Sequence, residues 1–251
     1  MKYKLLLLDI DGTLVESNDS ARPSKKLIES IGEAKSLLQV SVVTGRADFL
    51  AAPVTDDLEL SGPSIFDGGG SILELPSHKA VWSQKISVPK LREIMKLVGP
   101  FRLDCFIDQD KYKNKLKKLD DIISPSVMFY IDSVDRKAAL SLIEELSVID
   151  GIAAHTATSW SAGDVVDLHI THEESTKKSA VHRLINILGC SKEEVLAVGD
   201  YYNDVPLFEA AGFSVAMGNA PEEIKQIVDY VAPPLDEDGV VDVINKFIIA
   251  K

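Results

Sequence analysis

Two carboxylates two residues apart, Asp9 and Asp11, stand where a run of four leucines, Leu5–Leu8, gives way to Ile10 and the turn-forming Gly12-Thr13. An acid set directly behind an apolar run is withdrawn from water, and a second acid beside it adds like-charge repulsion. Such a pair needs a cation or a shared proton. A second set, Gly199-Asp200-Tyr201-Tyr202-Asn203-Asp204, follows the apolar run Val195–Val198 and brings more carboxylates with an amide oxygen. Oxygen donors of this kind suit Mg²⁺, which keeps several waters and takes few protein groups. Thr44-Gly45-Arg46 after Val40–Val43 offers a hydroxyl and an unhindered amide able to hold a phosphoryl oxygen. Lys177 opens the helical pattern at 178–188, the end at which the helix dipole disfavours a cation. Taken singly, an Asp-Gly turn, a Thr-Gly turn or a surface lysine is ordinary; the force of the pattern lies in the recurrence of acids at strand ends.

The elements that must position these residues follow from hydrophobic pattern. Leu5–Leu8, Val40–Val43, Val195–Val198 and Phe213–Met217 are short, apolar on both faces, and end in polar or Gly-rich turns. Runs of this type fit parallel strands covered by helices on each side. Leu27, Ile28, Ile31, Ala34, Leu37 and Leu38 form a helical stripe opened by Pro23; Val181, Leu184, Ile185 and Leu188 form another, closed by Gly189. A further helix starts at Asn219-Ala220-Pro221-Glu222-Glu223, with acids in its first turn. The alternation predicts an α/β fold, a doubly wound, mostly parallel Rossmann-like sheet. Ligands of such sheets sit beyond the carboxyl ends of the strands, and those ends carry Asp9, Thr44 and Asp200.

About 130 residues separate Thr44 from Lys177, far more than one strand–helix unit requires. Strand-like pieces lie at Ile72–Leu75, Val81–Trp82, Phe101–Ile107, Val127–Ile131, Ile152–Ala157 and Val165–Ile170. Helical stripes carry Leu91, Ile94, Met95 and Val98, then Ala139, Leu142, Ile143 and Leu146. The reading is an α+β module inserted at 73–170 into a core made of 1–72 and 171–251.

The chain has 251 residues, 45% hydrophobic and 26% charged, the mix of a globular protein. Its net charge of −12 repels phosphodiester backbones, so a nucleic-acid partner is not expected. Cys105 and Cys190 read as small buried hydrophobes in a reducing compartment. Asp9 and Asp11 interrupt the apolar start too early for an export segment, and no run reaches the roughly 20 apolar residues of a spanning helix. The expected location is cytoplasmic, with no membrane partner.

Asp9-Ile10-Asp11-Gly12-Thr13, Thr44-Gly45-Arg46, Lys177 and Gly199-Asp200-Tyr201-Tyr202-Asn203-Asp204 together resemble the four ordered motifs of the haloacid dehalogenase-like superfamily. The tail Met217-Gly218-Asn219-Ala220, then Asp236-Glu237-Asp238-Gly239-Val240, resembles its Cof-type branch: Mg²⁺-dependent phosphatases with a large α/β cap between the second and third motifs. The resemblance implies Asp9 as nucleophile, forming an aspartyl-phosphate, and Asp11 as general acid and then base. It implies Mg²⁺ held by the Asp9 carboxylate, the Asp11 carbonyl and Asp200, with Asn203 and Asp204 completing or orienting the shell. Lys177 would add fixed positive charge, and Thr44 and Gly45 would bind phosphoryl oxygens. An acid at Asp11 favours phosphoryl transfer, since a halide leaving group needs no proton. The chain departs from the branch at Lys178, at Asp67-Gly68-Gly69-Gly70 and at His172-Glu173-Glu174, none of which touches the nucleophile or the metal carboxylates.

The implied activity is hydrolysis of a small phosphorylated metabolite, a sugar or polyol phosphate, with the cap excluding bulky substrates. A sugar phosphomutase on the same fold is the alternative; a phospho-acceptor switch is a third reading, disfavoured by the large insertion and by Asp11. In the cap, the basic run Lys111, Lys113, Lys115, Lys117 and Lys118 reads as a solvated face. His155 and Trp160 are candidates to face the cleft, no cap residue is assigned as a binder, and the oligomeric state is left open.

Overall fold

The computed structural model describes residues 2–109, 112–159, 161 and 163–250. In chain order the core opens with β1 (Leu5–Leu8), α1 (Lys25–Lys35), β2 (Gln39–Val42), α2 (Asp48–Asp57), β3 (Gly62–Phe66), β4 (Ser71–Leu75) and β5 (Lys79–Ser83). The inserted domain holds α3 (Val88–Val98), β6 (Asp104–Gln109), β7 (Tyr112–Lys115), β8 (Met128–Asp135), α4 (Arg136–Leu146), β9 (Ile152–Thr158) and β10 (Val165–His172). The chain then returns through α5 (Lys177–Leu188), β11 (Val195–Gly199), α6 (Val205–Ala210), β12 (Phe213–Ala216), α7 (Glu222–Lys225), β13 (Tyr230–Val231) and α8 (Gly239–Ile244).

The leucine run shows why the core sheet is parallel. Leu6 and Leu8 pack with α1, α2 and α8 on one face, whereas Leu5 and Leu7 pack with α5 and α6 on the other. All four are fully buried. A strand covered on both faces has no polar side to give to water. The sheet order is β13-β12-β11-β1-β2, parallel throughout. β1 lies between β11 and β2, and its end carries Asp9.

Helix starts follow local chemistry. The Ser24 hydroxyl accepts from the Leu27 amide to cap α1, and the Thr176 hydroxyl accepts from the Ser179 amide to cap α5. Gly189 closes α5 in the left-handed conformation with φ of 64°.

Residue 72, where the sequence reading ends the first core segment, falls inside β4. β4 pairs with β3 and with β5 in an antiparallel three-stranded sheet, and Leu73 and Leu75 belong to the core cluster around β1. Side chains join β3 to β2: the Ser41 hydroxyl donates to the Pro63 carbonyl at 2.7 Å, and the Ser64 hydroxyl accepts from the Val42 amide. The hairpin therefore packs with the core strands, and the apolar cluster of the inserted segment starts at Ile86. That domain is one antiparallel sheet of order β7-β6-β8-β10-β9 with α3 and α4 packed on one face. No helix among the described residues is long and apolar enough to cross a membrane.

Candidate active site

Strand register gathers the motifs. The Asp9 amide donates to the Val198 carbonyl at 3.0 Å and the Val43 amide to the Leu8 carbonyl at 2.9 Å, so β11, β1 and β2 end side by side. Asp9 and Lys177 are nearly inaccessible, at 4% and 5% exposure, and Asp204 and Thr44 are fully buried. Carboxylate oxygens of Asp9, Asp200 and Asp204 lie within 4.8 Å of one another.

Lys177 resolves part of that repulsion. Its Nζ donates to Asp9 Oδ1 at 2.9 Å and to Asp204 Oδ1 at 2.8 Å. Burial opposes the ammonium, yet the charges of Asp204 and Asp9 hold its pKa above the ordinary lysine value. The adjacent Lys178 points outward to Glu209 at 2.9 Å, so of the two lysines Lys177 enters the cluster. Asp204 Oδ2 accepts from the amides of Asp200 and Tyr201 at 3.0 and 3.2 Å. Both of its oxygens are thereby engaged, which suits orienting the loop more than ligating an ion.

One lysine does not balance three desolvated carboxylates. Burial first, then the Asp204 charge, pushes Asp9 up to about 7. Burial, then Asp204 and Asp9, pushes Asp200 up to about 9. Asn203 Oδ1 is buried and accepts no hydrogen bond among the described residues. An acceptor without a donor, beside carboxylates short of positive charge, fits a hard divalent cation. The donors that suit Mg²⁺ are Asp9, Asp200 and Asn203, with the Asp11 carbonyl on the adjoining turn.

Glycine is required where Asp200 approaches Asp11. Gly12 has φ of 77°, and a Cβ there would run into the Asp200 carboxylate. Asn219 Nδ2 ties the two loops together, donating to the Gly12 carbonyl at 2.9 Å and to Asp200 Oδ2 at 3.3 Å. The sequence offers Asn219 as part of a family tail without assigning it this function.

Asp11 lies outside the cluster gathered by Lys177 and pairs with Arg46. The Thr44 hydroxyl accepts from the Arg46 amide at 3.0 Å, leaving its own proton to donate. The Gly68 amide donates to the Thr44 carbonyl, and Gly69, with φ of 109°, packs directly on the backbone of Thr176 and Lys177. The Asp67–Gly70 loop thus buttresses both the phosphoryl-binding turn and the lysine.

The inserted domain closes over this end of the sheet. Arg136 Nη2, at the start of α4, donates to the Tyr201 hydroxyl at 3.0 Å, while its Nε holds Asp164 at 2.8 Å. A Cβ added to Gly45 would meet the His169 ring at 3.1 Å, so β10 rests against the phosphoryl-binding turn. Lys115 is tied to Asp104 at 2.7 Å, and Lys117 and Lys118 are exposed, consistent with a solvated face. Lys111 and Trp160 lie outside the described residues, and the side chain of Lys113 is likewise not described.

A capped, doubly wound α/β domain with carboxylates clustered at its strand ends around the lysine of a helix start defines a class of hydrolases. The chain belongs to the haloacid dehalogenase-like hydrolases, matching that family over residues 6–127 and 106–244, and falls in its Cof-type branch. It is 27% identical to a protein named phosphoglycolate phosphatase 1 from Saccharolobus solfataricus, covering 98% of this chain and 96% of that one. It is 28% identical to stress response protein YhaX from Bacillus subtilis, over 98% and 94% of the two chains. Among solved structures, a haloacid dehalogenase-like hydrolase from Bacteroides thetaiotaomicron superposes with a TM-score of 0.82 at 24% identity, covering 98% of this chain and 100% of that one. A HAD subclass IIB sugar phosphatase gives 0.79 at 20% identity, over 98% and 100%. At these identities the structural likeness is one of fold.

Proposed function

We propose that this phosphoric monoester hydrolase is a Mg²⁺-dependent phosphatase that cleaves a small phosphorylated metabolite, a sugar or polyol phosphate, through an aspartyl-phosphate on Asp9. The observation that carries the reading is the buried Asp9–Lys177–Asp204 chain with Asp200 at its edge.

Lys177 holds Asp9 Oδ1 and so aims Oδ2 as the nucleophile. That oxygen attacks phosphorus in line, the bond from phosphorus to the ester oxygen breaks, and Asp11, with one oxygen released from Arg46 and protonated, gives that proton to the departing alkoxide. Asp11, now a carboxylate, takes a proton from the water that attacks the acyl phosphate, which releases inorganic phosphate and restores Asp9. The Thr44 hydroxyl and Gly45 amide hold phosphoryl oxygens, and Lys177 offsets their charge. Bound at Asp9, Asp200 and Asn203, Mg²⁺ would screen the carboxylate from the phosphate and stabilise charge in the transition state.

The test is phosphate release from a panel of sugar and polyol phosphates, with 2-phosphoglycolate included because of the relatives' names, in Mg²⁺ and in chelator. Rapid acid quench with labelled substrate should leave phosphate on the wild-type protein and none on Asp9→Asn. Undiminished turnover by Asp9→Asn would overturn the mechanism.

A further inference from the structure

The face of the cap sheet opposite α3 and α4 carries a row of rings directed at the catalytic end of the core. In the strand registers Phe106 lies opposite Tyr130, Tyr130 opposite His169, and His169 opposite His155. Successive ring centroids are 5.8, 5.2 and 5.8 Å apart. The alternating neighbours Cys105, Phe129, Leu168 and Ile170 fill the cap's apolar cluster, so the row is the other side of the pleat. It ends on the active site, where a Cβ added to Gly68 would lie 3.1 Å from His155 Nε2.

The polar atoms of the row are not equivalent. The Tyr130 hydroxyl is spent on Asp167 at 2.6 Å, and Asp167 also accepts from the Ser133 amide at 3.0 Å. No described residue hydrogen-bonds either ring nitrogen of His155, which is only partly buried. Burial, then the Lys177 charge, pushes the His155 imidazole down to about 4. The ring is therefore neutral at working pH, with one N–H to donate and one lone pair to accept.

We infer that His155 is the specificity-determining residue for the alcohol part of the substrate, selecting a hydroxylated leaving group over a carboxylated one across the Phe106–Tyr130–His169 row. A hydroxyl both donates and accepts, as this ring does. A carboxylate only accepts, and desolvating it without a free cation is costly. Lys177, whose charge acts on His155, is committed to Asp9 and Asp204, Arg46 to Asp11, and Arg136 to Asp164 and Tyr201. The inference rests on the phosphatase reading above.

The experiment compares kcat/KM for glycerol 1-phosphate, a hexose 6-phosphate, 2-phosphoglycolate and p-nitrophenyl phosphate. The proteins are the wild type, His155→Gln, His155→Ala and the space-filling His155→Leu. The wild type should favour one of the hydroxylated esters at least tenfold over 2-phosphoglycolate. His155→Ala and His155→Leu should lose about tenfold or more on that ester, chiefly in KM, and at least fivefold less on p-nitrophenyl phosphate. His155→Gln, which keeps a donor and an acceptor, should recover most of the loss. Wild-type preference for 2-phosphoglycolate, no turnover of the hydroxylated esters, or an equal loss on every ester would overturn the assignment. Failure of the phosphatase reading itself looks different: no phosphate is released from any ester, p-nitrophenyl phosphate included.

Discussion

Arg46 grips Asp11 through two parallel hydrogen bonds, Nε to Oδ2 at 2.9 Å and Nη2 to Oδ1 at 2.7 Å. The guanidinium is itself fixed, donating to the carbonyls of Asn18 and Leu50, and its side chain is 3% exposed. A planar fork of this kind sets the direction of a carboxylate as well as its place. The residue assigned to proton transfer is thus tied by both oxygens to the motif that supplies Thr44 and Gly45, and one of them must leave the fork to carry a proton.

Arg46→Lys retains the charge and loses the fork. General acid–base groups contribute on the order of 10²- to 10⁴-fold, so kcat should fall about 10- to 100-fold with an alkyl phosphate, whose alkoxide must be protonated. The fall should be much smaller with p-nitrophenyl phosphate, whose phenolate leaves readily. Steady-state kinetics on both esters check this, and equal losses would show that Arg46 acts only through the fold.

The raised pKa values of Asp9 and Asp200 fix the sign of a stability effect. Metal-free folded protein binds protons more tightly at these groups than the unfolded chain, so this stabilisation is complete below the ordinary carboxylate range near 4 and is lost as pH rises through about 7 to about 9. Urea unfolding in chelator should therefore show stability declining across that window. Saturating Mg²⁺ should flatten the decline, because the ion binds the ionised carboxylates. Asp9→Asn should be more stable than wild type in chelator at pH 8, with a smaller Mg²⁺-induced rise in Tm.

The core strands and the ligand end of the sheet are legible in the sequence because leucines on both faces of β1 leave only one kind of environment for it. The ownership of β4 and β5 is not, since alternating apolar residues suit either sheet and only the pairing of β4 with β3 decides. The chemistry-bearing acids are legible because charge directly after an apolar strand is costly. Relationships set by register are hidden: His155 and His169 meet only because β9 and β10 pair in that alignment, and nothing local aims Arg46 at a residue 35 positions away. Asn219 is hidden for the same reason, as its bond to Gly12 spans 207 positions.

Gly12→Ala tests the approach of Asp200 to the first loop. The new Cβ would displace the Asp200 carboxylate and strain a backbone held at φ of 77°, a cost of about 1–3 kcal/mol. The Mg²⁺ concentration for half-maximal activity should rise at least tenfold, with a lower Tm. An unchanged Mg²⁺ titration would mean that Asp200 does not hold the ion.

Tyr201 directly follows Asp200, a proposed ligand of Mg²⁺, and its hydroxyl accepts from Arg136 of the cap, so the two domains touch beside the proposed ion. Arg136 is 39% exposed and also bonds Asp164, and a contact this open to water contributes only about 1 kcal/mol. That is too little to hold the fold together and enough to shift the balance between a closed and an open cap several-fold. Tyr201→Phe removes only the hydroxyl. It should raise KM about three- to tenfold for the natural ester, leave the Tm within about 2 °C, and increase proteolytic cleavage near Ser83–Ile86, where the chain leaves the core. Arg136→Ala should do the same, and the double variant should add little, because both changes remove one contact. Additive effects would show that the two residues act separately and that closure is held elsewhere.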